Sequence, residues 1–585
     1  MSSESAGGFR EFGSLSELRE EGRLVKAFDG KPLLAVYHEG EPHVIENRCP
    51  HMGFPLSEGT VDDGILTCHW HHARFELSCG DTFDPWADDV PSFPTEVRDD
   101  TLYVDPNPER DESPAEHWHR RLEDGLERNL RLVVAKSAIG LMDAGVDPAA
   151  QVEAGVRFGT RYREGGWSSG LTILAAMANV LPALDADDRK RALYHGLTHV
   201  AMDCANEPPR FDQDAFDARD VSFERLKSWF RETVEVRDSD GAERCLRTAV
   251  ASGCTPAQLT EMLVAAATDH RYLDTGHTFD FVNKACETLD HVGWEHADEV
   301  LPSLVSGLTD AERSEELSSW RQPEDLAGTL EDTFDRLDDL VAAGEGRDWE
   351  PPGDFTERVR ADDPDVVVGA LEDAIRDGAT VEELAAEVAY AAATRVAQFS
   401  TANEFSDWNT VHHTFTYANA VHQASQRTDA AELYRGVFDA AVNVYLDRFL
   451  NSPAAPIPDR GDGDADPGAL LDELDETFDT EGEVDRAGRL AAHYLDAGGD
   501  PATLKRRLGA ALLREDAGFH TYQALEAGFA QFDERTDPAE RRTLMTAVAR
   551  YMAAHFPTRR EREQTFTIAA RLHRGEQIHG ETASD

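Results

Sequence analysis

The chain has 585 residues, with 57 Lys plus Arg against 113 Asp plus Glu, a formal net charge of −56. Nucleic acid and anionic membrane both select Lys/Arg patches, so this balance argues against either as a partner, and no apolar run reaches the 18 residues that a spanning helix needs. Seven Cys are too sparse for a disulfide scaffold, and the N-terminal Met1-Ser2-Ser3-Glu4-Ser5 lacks the basic start and apolar stretch of a secretory signal, so a cytoplasmic protein of about three to four domains is expected.

Residues 9–107 read as β. Short apolar stretches such as Leu33-Leu34-Ala35-Val36-Tyr37, His43-Val44-Ile45-Glu46 and Leu102-Tyr103-Val104 alternate with turn pairs Asp29-Gly30, Glu39-Gly40 and Asp99-Asp100. Within this region Cys49-Pro50-His51 is followed, after 16 residues, by Cys68-His69-Trp70-His71. Two thiolates and two imidazoles in this pattern suit a [2Fe–2S] pair with sulfur on one iron and nitrogen on the other. A Cys2His2 zinc site uses the same donors, although zinc pairs favour wider separations within each half than C-x-H.

The C-x-H-x16-C-x-x-H pattern resembles the Rieske [2Fe–2S] family over residues 9–105, and Cys68-His69-Trp70-His71-His72-Ala73-Arg74-Phe75 is similar to the second box of Rieske ferredoxins and ring-hydroxylating oxygenases. The resemblance implies a cluster held by Cys49, His51, Cys68 and His71. It also implies departures. Phe54 and Trp70 stand where the respiratory branch carries an extra Cys in each box, Ala73 where it carries a Ser that bonds a sulfide, and His72 where Gly is usual. Fewer hydrogen bonds to the sulfurs place the expected potential low in the Rieske range, about −150 to 0 mV. Cys79 reads as an ordinary loop or core residue.

From about residue 113 the texture turns helical, rich in Ala, Leu, Glu and Arg. Four segments share one grammar, a Gly that ends a helix, a capping residue, and then usually Pro. They are Gly145-Val146-Asp147-Pro148, Gly253-Cys254-Thr255-Pro256, Gly378-Ala379-Thr380-Val381 and Gly498-Gly499-Asp500-Pro501. The expected organisation is α+β, a small N-terminal Rieske β domain (9–107) followed by a large all-α, internally repeated domain. Repeats 1 and 2 fall in 113–345, repeat 3 in 357–450 and repeat 4 in 469–575, with linkers at 346–356 and 451–468.

Several His groupings in the helical part could carry chemistry. His195, His199 and Asp203 would share one face of a helix, as would His270, Asp274 and His277, the latter a candidate second metal site. His277-Thr278-Phe279, His413-Thr414-Phe415 and His520-Thr521-Tyr522 recur 22 to 35 residues after their repeat's Gly, while the first repeat offers only Gly170-Leu171-Thr172. Converging imidazoles suit a metal or general acid–base work. The D-x2-H-x4-H iron motif of Rieske oxygenases is not reproduced, because in Asp290-His291-Val292-Gly293-Trp294-Glu295-His296 the Asp directly precedes the first His. Tyr194-His195-Gly196-Leu197-Thr198-His199 resembles the H-x3-H helix of questin oxidase-like proteins, an all-helical family that includes ring-opening oxygenation of anthraquinones. Ala201, Met202 and Asp203 stand where that family continues with Gly and Glu.

The expectation is an oxidoreductase whose cluster passes electrons to a His-rich helical site, with His195, His199, His277, His413 and His520 as catalytic candidates and a mononuclear metal as a further cofactor. The alternative is a non-catalytic electron carrier with a helical docking platform. No strand leads into G-x-G-x-x-G, so an external ferredoxin or reductase is the expected electron donor, and a small molecule the expected redox substrate. The charge excess, with only seven Lys among the basic residues, resembles proteins of salt-accumulating halophilic archaea. Repulsion among carboxylates fades as the Debye length falls from about 10 Å at 0.1 M to about 3 Å at 1 M salt.

Overall fold

The computed structural model describes residues 8–576 apart from 85, 109–111, 218–220 and 405. The chain divides into two compact units. One holds the described residues up to Asp147 together with those from Gln564 onward, and the other is Pro148–Glu563.

The first unit contains ten strands in three antiparallel sheets, ordered β1-β10-β9, β2-β3-β4-β8 and β5-β6-β7. In chain order the strands are β1 (Arg10–Ser14), β2 (Arg23–Phe28), β3 (Lys31–His38), β4 (Glu41–Glu46), β5 (Thr60–Asp62), β6 (Ile65–Thr67), β7 (Arg74–Glu76), β8 (Ser92–Phe93), β9 (Thr95–Arg98) and β10 (Thr101–Val104). The two-residue turns Asp29-Gly30, Glu39-Gly40 and Asp63-Gly64 have both residues at positive φ, the twist that antiparallel hairpins favour. β3 is buried on both faces. Its Leu33 and Ala35 pack with Phe12, Leu102 and Val104, whereas Leu34 and Val36 pack with Cys49, Leu66, Cys68 and Phe75. The period-2 alternation of one strand therefore builds two cores, one of which contains both cluster cysteines.

Helix α1 (Leu15–Glu21) follows β1, and two longer helices, α2 (Pro114–Glu127) and α3 (Arg131–Asp143), belong to this unit, as do the described residues from Gln564 onward. Ser113 and Glu116 form a capping box that starts α2. The unit is thus larger than the 9–107 expected from the β texture, because α2 and α3 cluster with the strands.

The second unit is helical throughout its described elements. The four capped segments behave as their grammar requires. Gly145, Gly253, Gly378 and Gly498 all lie at positive φ. Helices α4 (Pro148–Arg161), α7 (Pro256–Ala267), α9 (Val381–Ala397) and α11 (Pro501–Leu513) follow them, with Thr255, Thr380 and Asp500 accepting from N-terminal amides. Each is followed by a partner helix, α5 (Ser169–Val180), α8 (His277–Val292), α10 (Asp407–Ser425) and α12 (Phe519–Glu534). These four partners pack in a closed ring, α5 on α8, α8 on α10, α10 on α12 and α12 on α5. Helix α6 (Ala186–Cys204) follows α5. Inside the ring Lys284 bridges Glu287 and Glu526 at 2.7 Å each, and Asn179 donates to the same two carboxylates. Lys284, Glu287 and Glu526 are buried, and their charges are paired as burial demands. The segments 346–356 and 451–468 are irregular except at their ends, where one helix opens at Phe355, a 3₁₀ turn closes at Asn451 and another helix opens at Pro467.

Candidate metal centres

The two loops of the first unit are built alike. Cys49 N–H donates to the Phe54 carbonyl (2.8 Å) and Gly53 N–H to the Cys49 carbonyl (2.7 Å); Cys68 N–H donates to Ala73 (2.8 Å) and His72 N–H to Cys68 (3.0 Å). Each loop is thus closed by a pair of bonds at the same spacing from its Cys. The closing position needs a left-handed backbone, Gly53 at φ 76° and His72 at φ 65°. The usual Gly at the second position has a conformational reason, and His72 meets it at a cost of about 1–2 kcal/mol.

Cys49 and Cys68 are buried and not disulfide-bonded. Their side chains hydrogen-bond to each other, which pushes the Cys49 thiol up and pulls the Cys68 thiol down. The rings of His51 and His71 stand edge to face with centroids 4.7 Å apart. His51 Nδ1 is buried without a hydrogen-bond partner among the described residues. Burial, with help from His71 and Lys136, lowers the His51 pKa to about 4, which keeps the ring neutral and able to bind a metal. These donors fit two irons, one taking sulfur and the other nitrogen. Trp86 packs against His51 at 4.7 Å, while Trp70 and His71 are exposed and adjacent at 4.2 Å. Behind the first loop, buried Lys136 of α3 donates to the Pro50 carbonyl. Cys79 lies exposed in a loop, its backbone N–H held by Glu76.

In the second unit, His277, His413 and His520 converge. One nitrogen from each lies within 4.8 Å of the others, the one such group of three or more His, Cys, Asp or Glu among the described residues. His413 Nε2 and His520 Nε2 are 2.9 Å apart, and ring centroids are 4.4 Å for His277–His413 and 4.7 Å for His413–His520. Burial first, then the neighbouring imidazoles, lowers His413 to about 2 and His520 to about 3, and burial lowers His277 as well. The three rings are therefore neutral at pH 7, the ligand form. His277 opens α8 and His520 lies in the first turn of α12; neither helix has a side-chain cap. His412 is fully buried beside His520, with ring centroids 5.3 Å apart and neither ring nitrogen hydrogen-bonded among the described residues.

The backbone leading into His277 is strained. Tyr272, Asp274 and Thr275 all have positive φ, at 43°, 48° and 54°. Such residues persist only where the surroundings fix them. Here Asp274 N–H donates to the Glu312 carbonyl (3.0 Å), Glu312 N–H donates to the Asp274 carboxylate (2.7 Å), and Ser314 donates to the Tyr272 carbonyl (2.9 Å).

This strain corrects the His270, Asp274 and His277 grouping. Residues 272–276 are not α-helical, so helical spacing does not apply. Both ring nitrogens of His270 are taken by carboxylates, Glu315 at 2.6 Å and Glu235 at 2.5 Å, and Asp274 is spent on the turn. His195 and His199 do share α6, but they face Tyr522, which His195 Nδ1 meets at 2.6 Å, and they do not join the three-imidazole cluster. Asp203 caps α5 by accepting from Gly170 N–H (2.7 Å) and Ser169 (3.1 Å). Sequence reasoning missed Lys136, whose only signal is a lone Lys in the apolar run from Leu132 to Ile139, and the turn at 272–276, which carries no breaker before Gly276.

The Rieske [2Fe-2S] domain profile matches residues 11–94. Human apoptosis-inducing factor 3 is 40% identical over 76 residues, which cover 13% of this chain and 12% of that protein. The 3-phenylpropionate/cinnamic acid dioxygenase ferredoxin subunit of Shigella boydii is 31% identical over 88 residues, 14% of this chain and 82% of that subunit. The solved ferredoxin of carbazole 1,9a-dioxygenase from Nocardioides aromaticivorans is 20% identical, with a TM-score of 0.16, covering 17% of this chain and 98% of that one. With its two-loop site and antiparallel sheets, the N-terminal unit is a Rieske-type electron-transfer domain that takes a [2Fe–2S] cluster. Through this region the chain belongs to the Rieske [2Fe–2S] family. The shared region is a small part of both this chain and apoptosis-inducing factor 3.

Proposed function

We propose that the protein is a Rieske-dependent oxidoreductase in which the N-terminal unit supplies single electrons for chemistry at a metal held by His277, His413 and His520. The convergence of three neutral imidazoles from three helices carries this reading. In the first unit Cys49 and Cys68 would hold one iron and His51 and His71 the other. The bound cluster supplies one-electron storage at a potential above that of all-thiolate clusters. The loops preset the four donors, and the shared thiol proton is released when they bind. Exposed His71 and Trp70 offer an edge for an external ferredoxin or reductase.

In the helical unit the four helix pairs are read as copies of one unit. Three copies place a His in the first two turns of the ring helix, whereas the first has Ser169-Gly170, capped by Asp203, in that region. Three ligands from four copies leave a coordination position open, as catalytic metal sites require. A cavity of about 480 Å³, with His413, Tyr272 and Trp320 in its wall, gives a small redox substrate access to that ligand.

The test is metal analysis and EPR on the full-length protein. Two irons plus one further metal ion per chain are expected. The triple variant H277Q/H413Q/H520Q is expected to lose the further ion while the cluster signal stays unchanged. A chain holding two irons alone after loading with Fe²⁺, Zn²⁺ or Cu²⁺, with the variant identical, refutes the helical metal site and leaves the docking-platform alternative.

A further inference from the structure

The family match ends at residue 94, yet the first cluster loop is held from outside that region. Lys136 of α3 is 8% exposed and donates to the carbonyl of Pro50, the residue between Cys49 and His51. Beside it lies a second layer of charge. Arg121 of α2 meets Asp88 at 3.0 Å and donates to the Ala87 carbonyl at 3.2 Å, and His117 meets Asp88 at 3.3 Å. Burial favours a neutral Asp88, but the His117 bond and the Arg121 charge outweigh it and keep the carboxylate ionised. Burial lowers Lys136 to about 8, with Asp88 and Cys49 opposing, so the ammonium persists at pH 7.

We propose that the α2–α3 hairpin is a redox-tuning element, in which the desolvated Lys136 ammonium favours the reduced cluster and Asp88 opposes it. The inference rests on the cluster being held by Cys49, His51, Cys68 and His71, and is independent of the helical metal site. Reduction takes one electron from a one-electron donor and leaves one added negative charge at the site. A fixed cation in a low-dielectric setting stabilises that charge far more than a solvated one does. The hairpin thereby offsets part of what is lost where Ala73 stands in place of a sulfide-bonding Ser. Lys136 acts on the potential and is a positioning residue, not a ligand.

The experiment is an EPR-monitored dithionite titration of the full-length, cluster-loaded protein at pH 7. K136M and K136Q are each expected to lower the reduction equilibrium constant at least tenfold, which is 59 mV for a one-electron couple. D88N is expected to raise it, and K31Q, which removes an exposed cation of the same unit, to leave it unchanged. The effects are expected to survive in 2 M KCl, because mobile ions do not screen a buried charge. Unchanged potentials in K136M and K136Q, with native g-values, overturn the proposal. A native potential in K136Q alone overturns it too, since the carbonyl bond and not the charge would then matter. If the Lys136 variants do not retain the cluster, D88N decides, an unchanged potential refuting the tuning role. A wild-type protein without a Rieske signal removes the ligand assignment and this inference with it.

Discussion

Acid should act on the three-imidazole site through proton linkage. His413 is pulled to about 2 and His520 to about 3, chiefly by burial, and His277 is lowered too. In the unfolded chain each His returns to about 6.5. A depressed folded pKa gives stability that is complete above 6.5 and lost as pH falls through 6.5 towards the folded value, because the unfolded state then binds protons that the native state refuses. Between pH 7.5 and 5.5 each such His costs about 1.4 kcal/mol. His413 and His520 together account for about 3 kcal/mol, and His277 acts in the same direction, a large share of the 5–15 kcal/mol typical of folded proteins. The assay is urea unfolding of metal-free protein at both pH values in constant KCl, wild type against H277Q/H413Q/H520Q. Other buried histidines are present in both proteins, and His412, held down chiefly by its own burial, contributes in the same direction to each. The wild type is expected to lose at least about 3 kcal/mol more than the variant on acidification. Equal losses would show that these rings are protonated in the native protein, and the ligand argument would fall.

Other consequences are more local. H72G should raise stability by about 1 kcal/mol, read as an increased urea midpoint of the cluster-loaded protein, because Gly adopts the left-handed closing position without a Cβ penalty; an unchanged or lower midpoint would show that His72 has a compensating role. T275G should likewise relieve about 1 kcal/mol of backbone strain while weakening metal binding at His277 several-fold, since a looser turn must be ordered on binding; calorimetric titration with Zn²⁺ checks this, and unchanged affinity refutes the positioning role of the turn. The net charge of −56 predicts an unfolding temperature that climbs steeply with KCl, and a flat salt response would remove that electrostatic reading.

The cluster loops were legible because their chemistry is local. Both Cys/His boxes fall between Cys49 and His71, and the bonds that shape each loop close within a few residues of its Cys. Lys136 was not legible, because it reaches Pro50 across 86 positions of sequence through tertiary packing alone. The recurring His-Thr-aromatic triplets pointed to a shared place, and the ring of α5, α8, α10 and α12 brings three of their histidines together. The same periodicity misled at His270 and Asp274. Helical spacing is an argument only where the backbone is helical, and Tyr272, Asp274 and Thr275 turn left-handed ahead of the first glycine, Gly276. At His195 and His199 the helix is real, but its shared face meets Tyr522. Spacing establishes that two side chains lie together, and says nothing about what lies opposite them.

The two sites differ in the charge their donors bring, and this difference constrains what each can do. The N-terminal loops offer two thiols, one of them drawn towards thiolate, so a metal bound there is largely neutralised by its ligands. The answering charge must then come from beyond the ligand set, which is where Lys136 stands. The helical site offers three neutral nitrogens, with no carboxylate among the three, and two of its residues begin helices whose first amides carry no side-chain cap. A divalent ion held there keeps its full double charge. Helix N-termini add partial positive charge of the same sign, so the combined field favours an anionic or strongly polarised oxygen ligand at the open position and disfavours a cationic substrate. Ligand competition follows from this contrast: azide or fluoride should perturb the spectrum of Cu²⁺ or Co²⁺ at His277, His413 and His520 at concentrations that leave the Rieske signal untouched, and an anion-insensitive spectrum would mean that the fourth position is closed.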